Sequence, residues 1–143
     1  MDTKFTVALH ILAMISESEE TLSSQTLAES VGTNPSYIRK VIVLLKNAAL
    51  IQSQQGRSGY QLSKSPEQMS LLEIYFATQE INKITLFEIP QNINQNCPVG
   101  QHMEGAIKPI FSNIEQQLEE ELSRQTLDDV IDNLYKTAKR PRI

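Results

Sequence analysis

From Phe5 to Ile15 the chain is largely apolar, and Phe5, Ala8, Leu9, Leu12, Ala13 and Ser16 fall at helical spacing, which predicts one face of a packed first helix. Ser23 or Ser24 is placed to cap a short second helix running to about Val31, with Leu27, Ala28 and Val31 inward and Gly32 ending it. Asn34 is a good N-cap and Pro35 suits a first helical position, so a third helix is expected from Pro35 to about Ala49. Ile38, Val41, Ile42 and Leu45 form its inner stripe. Ser36, Tyr37, Arg39, Lys40 and, at the margin, Val43 are left for its outer face. Two short strands, Ile51 to Gln55 and Tyr60 to Ser63, flank Gly56-Arg57-Ser58-Gly59, whose glycines permit a hairpin tip.

After Ser65-Pro66, Ser70 caps a fourth helix with Leu71, Leu72, Ile74, Tyr75 and Ala77 at packing positions, expected to buttress the hairpin. Residues 82–98 mix Asn, Gln and Pro with isolated apolar residues and read as an exposed loop. Beyond it Met103, Ile107, Ile110, Ile114, Leu118 and Leu122 recur at three- and four-residue steps, the stripe of a long amphipathic helix. Its other side carries Glu115, Gln116, Glu119 and Glu120, so the stripe calls for a partner. Pro109 interrupts that helix, where an interior proline costs about 3 kcal/mol. A last helix capped near Thr126 uses Leu127, Val130, Ile131 and Leu134. The basic tail from Lys136 to Ile143 is expected to fray, with Lys139, Arg140 and Arg142 free to touch phosphate.

Charge changes the picture. No acidic residue stands between Glu29 and Glu67, yet Arg39, Lys40, Lys46, Arg57 and Lys64 do, in a chain whose net charge is -4. Residues 1–64 carry six Lys and Arg against five Asp and Glu, and residues 65–143 carry seven against twelve. DNA attracts the first part and repels the second, so binding has to be local to the acid-free segment. A turn-separated pair of helices followed by a basic hairpin is a helix-turn-helix with a wing.

The order of these pieces resembles a known family. The Leu27-Ala28-Glu29 turn helix, the Tyr37-centred recognition helix, the wing Gly56-Arg57-Ser58-Gly59-Tyr60-Gln61-Leu62 and the helix start Ser70-Leu71-Leu72-Glu73 are similar to those of Rrf-type bacterial transcription regulators, the family of IscR, NsrR and CymR. The resemblance covers nearly the whole chain. It implies a mainly α fold: a winged helix-turn-helix with a small β-hairpin wing and a long C-terminal dimerisation helix. Residues 1–80 would form the DNA-binding domain, 81–98 a loop and 99–143 a helical dimerisation arm. It also implies a homodimer on a palindromic operator, with the interface on the Met103 to Leu122 stripe. Cluster-binding members carry three cysteines before the long helix; this chain has Cys97 alone, in Asn96-Cys97-Pro98-Val99-Gly100, and looks closest to the single-cysteine YwnA-like branch.

DNA contacts are therefore expected from Ser24, Gln25, Asn34, Ser36, Tyr37, Arg39, Lys40, Arg57 and Ser58, with Arg57 at the wing tip fit for a minor groove. Lys46 reads as a helix-end surface charge, and Tyr60 suits either DNA contact or packing under the wing, with packing favoured. Cys97 precedes Pro98 and would sit at the positive end of a helix dipole, where a thiolate is favoured; it is the redox-sensing candidate, with a buried structural thiol as the plain alternative. An iron-sulfur cluster needs several thiolates, so no cofactor is expected, and Cys97 with His102 is too small a set for a structural zinc site. His10 reads as structural.

A single cysteine excludes a disulfide framework and points to a reducing compartment. The apolar run at residues 5–15 is too short to span a bilayer, is broken by His10 and lacks a cleavage pattern, so a cytoplasmic protein with no membrane partner is expected. No phosphate loop, paired histidines or serine elbow supports catalysis. The chain thus reads as a non-enzymatic, DNA-binding transcription regulator, a homodimeric repressor with a small-molecule or protein effector, or responsive to oxidants or electrophiles through Cys97. Its rivals are a winged-helix protein-interaction module without specific DNA binding and, more weakly, a one-cysteine thiol peroxidase.

Overall fold

The computed structural model describes residues 2–54 and 59–143. Helices α1 (Lys4–Glu17), α2 (Ser24–Val31) and α3 (Pro35–Asn47) precede a hairpin of β1 (Ile51–Ser53) and β2 (Tyr60–Leu62); then come a 3-10 turn at Pro66–Gln68, α4 (Leu71–Gln79), α5 (Pro98–Arg124) and α6 (Leu127–Ala138). The starts of α2 and α3 follow the side chains that cap them. Ser23 accepts from the Thr26 N–H and Asn34 from the Tyr37 N–H, each satisfying a donor the first turn leaves open. Gly32, at φ 82°, ends α2, and its N–H and that of Thr33 both donate to the Ala28 carbonyl. The end of α3 is built differently, since Ala49 takes φ 58° so that the Leu50 N–H can reach the Leu45 carbonyl at 3.0 Å. A left-handed alanine costs about 1–2 kcal/mol.

The core gathers around α1, which packs on α2, α3, α4, α6 and β2. Its buried residues are Val7, Ala8, Ile11, Leu12 and Ala13, so Val7 and Ile11 replace Phe5, Leu9 and Ser16, which are half-buried at the edge. A helix covered on several sides has no single inner face. The α3 stripe of Ile38, Val41, Ile42 and Leu45 is buried as expected, joined by Leu44. β1 and β2 pair antiparallel from Ile51 opposite Leu62 to Ser53 opposite Tyr60. Gly59 lies at φ +102°, where a Cβ would stand 2.8 Å from the Thr21 methyl, so bulk is excluded as well as favoured conformations for other residues.

Ser70 and Glu73 form a reciprocal capping box at the start of α4. This helix was expected to support the wing, but it packs on α1, α3 and α5, with Ile74 and Thr78 buried and the Tyr75 ring edge-on to Phe5 at 5.2 Å. Its tie to the wing is the Lys64–Glu73 ion pair. Burial alone would push the Glu73 carboxyl up, yet the Lys64 ammonium and the Ser70 N–H outweigh it and hold the group below its ordinary value.

Ser70 also forms an antiparallel bridge with Thr126, in which the Leu71 N–H donates to the Gln125 carbonyl and the Leu127 N–H to the Met69 carbonyl, both at 2.9 Å. The bridge turns the chain back at the end of α5. Thr126 and Asp129 cap α6 with a second capping box, and Leu127 and Ile131 enter the same core as α1. Thus α6 packs with the first eighty residues instead of prolonging α5. Past α6 the tail is exposed and without helix, but Arg142 is tied back: it binds Asp128 at 2.7 Å and Asp132 at 2.6 Å with Glu17 nearby, which spends its charge within the fold.

The segment 81–97 is largely exposed and without helix or strand, but it is tied to α5 near its start as a strap. Ile84 is 1% exposed, its N–H donates to Glu119 at 2.7 Å, and the Leu86 N–H donates to Glu115 at 2.6 Å. Glu115, set by the sequence on the side opposite the apolar stripe, is 8% exposed, and its carboxylate serves there as acceptor for a strap amide. Farther along, the Phe87 and Phe111 rings meet at 4.6 Å, and the Asn94 carbonyl lies where a Cβ on Gly100 would fall 2.5 Å away. α5 itself runs unbroken through Pro109.

Candidate nucleic-acid interface

Packing leaves one side of α3 bare. Ser36, Arg39, Lys40 and Val43 are exposed, and the described residues give neither Arg39 nor Lys40 a carboxylate partner. Both guanidinium and ammonium are thus available to an outside anion. Asn34 is also exposed, but its side-chain oxygen is occupied by the Tyr37 N–H at 2.9 Å, which makes it a cap first. Gln25, exposed on α2, donates to Glu29 at 3.1 Å, and Ser24 is half-buried in the first turn of that helix. Arg57 and Ser58, with Gln55 and Gly56, lie outside the described residues.

Tyr37 departs from the outer-face reading. It is half-buried against the core, and its hydroxyl lies 3.1 Å from Thr3 Oγ1. This contact sets the start of α1, with Lys4, beside the start of α3. Nothing local in the sequence signals it, since the two residues are 34 apart. Lys46 also has a more definite place than a helix-end charge: its ammonium donates to Ser53 at 3.2 Å and stands 5.7 Å from the Tyr60 ring centroid, stitching α3 to both wing strands. Tyr60 is half-buried against the core, as its packing reading anticipated. His10 is likewise structural, 2.9 Å from Ser30 Oγ.

The long helix has two separate faces. Glu104, Lys108, Phe111, Glu115 and Glu119 point toward the strap, whereas Val99, Met103, Ile110, Ile114 and Leu118 remain exposed about a third of a turn away. Ile110 is 59% and Ile114 42% exposed; Ile107 and Leu122 are half-buried. Cys97 is the exposed N-cap residue of α5, and the backbone N–H groups of Gly100 and Val99 hold its thiol below its ordinary value.

Comparison with known proteins decides the family. The Rrf2 family profile, described as "Iron-dependent Transcriptional regulator", matches residues 1–133. The chain belongs to the Rrf2 family. YwnA of Bacillus subtilis, described as an HTH-type transcriptional regulator, is 39% identical over 135 residues, covering 94% of this chain and 99% of that one. A solved structure described as a DNA-binding protein superposes with a TM-score of 0.72 at 38% identity, over 90% of this chain and 98% of that one. CymR, the global cysteine regulator of B. subtilis, shares the fold with a TM-score of 0.70 at 21% identity, over 92% and 95% of the two chains. This Rrf2 protein is therefore a DNA-binding transcription regulator with a winged helix-turn-helix, and not an enzyme.

The family description implies iron, and the donors of this chain do not fit it. Cys97 is the single thiol, and among the described residues no three His, Cys, Asp or Glu side chains gather as a metal site. A cluster held by one thiolate per subunit lacks most of its ligands. No described helix is long and apolar enough to cross a membrane.

Proposed function

We propose that this Rrf2 protein is a cytoplasmic homodimeric repressor that sets α3 of each subunit in a major groove of a palindromic operator. The observation that carries the reading is the exposed, carboxylate-free side of α3, with Arg39 and Lys40 beside Ser36. Ser24 and Gln25 supply polar groups at the start of α2, Asn34 and Tyr37 fix the start of α3 from within the fold, and Arg57 and Ser58 are the proposed contacts to the backbone and minor groove. Val99, Met103, Ile110, Ile114 and Leu118 on α5 support the dimer, joined by Ile107 and, nearer its own domain, Leu122: a large apolar stripe left in water favours covering by a second copy. Cys97, exposed at the helix start, is the proposed entry point for an oxidant or electrophile. The alternative entry point is a small effector held in the open cleft of about 700 Å³ between strap and α5, lined by Lys83, Phe87, Glu88, Glu104, Lys108 and Phe111.

Binding of a selected duplex across a salt series tests the DNA surface. Lys40→Ala and Arg57→Ala should weaken affinity and flatten the salt dependence by about one unit per lost phosphate contact. Unchanged affinity and slope in both variants contradict the proposed surface. For the switch, Cys97→Ser should bind DNA normally and lose the response to thiol reagents, and a response equal to wild type places the signal elsewhere.

A further inference from the structure

We infer that Val43 is a specificity-determining residue that reads the C5-methyl group of a thymine in the major groove. The inference rests on the reading of α3 as the groove helix and goes beyond it in assigning a base feature to one side chain. Val43 is 53% exposed, whereas every other apolar residue from Ile38 to Leu45 is buried. It lies four residues after Arg39 and three after Lys40, so it shares their side of the helix. Nothing inside the fold accounts for a valine there. It adds little to the core, and a β-branched residue is a weaker helix former than the arginine and lysine beside it.

Groove chemistry does account for it. Arg39 and Lys40 can meet phosphate or guanine, but neither offers an apolar surface to a base. Thymine is the base that presents a methyl group in the major groove, and an apolar side chain is its natural complement. The stiffness of valine helps, because its two methyl groups are already fixed by the helix and little rotamer freedom is lost on contact.

The test uses the full-length protein and a duplex selected by it from a random pool. Each thymine is replaced in turn by deoxyuridine, which removes the C5-methyl and nothing else, and affinity is measured for wild type, Val43→Ala and Arg39→Ala. For wild type, one such replacement in a recognised half-site should weaken binding about fourfold, the factor corresponding to roughly 0.8 kcal/mol for one buried carbon. Val43→Ala should be insensitive to that same replacement while remaining folded by circular dichroism. If no thymine couples to Val43 while Arg39→Ala still loses affinity, the valine reading is overturned and the groove helix stands. If Arg39→Ala also binds like wild type, or no duplex is selected, the groove reading fails and takes this inference with it.

Discussion

Two carboxylates on α5 hold the strap, and removing one gives a sharp expectation. Glu115→Ala deletes the acceptor of the Leu86 N–H, a bond of 2.6 Å to a charged group that is itself 8% exposed. Hydrogen bonds to charged groups contribute about 1.5–3 kcal/mol net. Leu86 is exposed, so its freed N–H can turn to water, and the lower end, about 1.5 kcal/mol, applies. That corresponds to roughly tenfold faster opening-limited exchange at the Leu86 amide. Glu119→Ala should act in the same way on Ile84, and the double variant should fall short of or exceed additivity, because both bonds restrain one short segment. Native-state hydrogen exchange followed by NMR reads each amide separately. Glu115→Gln, which keeps an oxygen acceptor but no charge, should lie between wild type and alanine. Unchanged exchange at Ile84 and Leu86 in the double variant would refute the claim that these carboxylates hold the strap.

Other consequences are equally open to measurement. Ile114→Glu should yield monomers in sedimentation at micromolar concentration, and a retained dimer places the interface elsewhere. Ala49→Gly should stabilise by about 1 kcal/mol in urea titration, because glycine relieves the left-handed strain at the end of α3. Ser70→Ala should destabilise by about 1 kcal/mol through loss of the cap that the Glu73 N–H uses. The depressed Glu73 carboxyl favours the folded state fully above the ordinary carboxylate range and loses that contribution as pH falls through its lower folded value; Glu73→Gln should flatten stability against pH below about 5.

The sequence showed the winged helix-turn-helix well because its signals are local. Ser23, Gly32, Asn34, Pro35 and Ser70 each act within four residues of their own position, and all do so in the structure. The long helix and its exposed stripe were legible for the same reason. What escaped were contacts between distant parts. Ile84 looks like Ile81 or Ile89 in sequence, and only acceptors 29 and 35 residues farther on fasten its stretch of chain to α5. Val7 and Ile11 were missed because α1 is apolar on several sides, which blurs periodicity, and Arg142 because its carboxylates are gathered by the return of α6. On the proposed recognition surface, exposure separates Arg39 and Lys40, which are available, from Asn34 and Tyr37, which are already engaged within the fold.

The bridge between Ser70 and Thr126 has a geometric consequence for the proposed dimer. It fastens the end of a 27-residue helix, about 40 Å long, to the start of the helix that backs the reading head. α4 packs along α5 and α6 returns into the core, so packing holds both sides of the junction. In the proposed dimer, two such subunits joined along α5 would act as a calliper whose jaws are set by the helices. Adding one base pair between half-sites turns one of them by about 34° around the DNA axis. A jointed dimer would absorb that twist, whereas a calliper must bend the DNA or release one side.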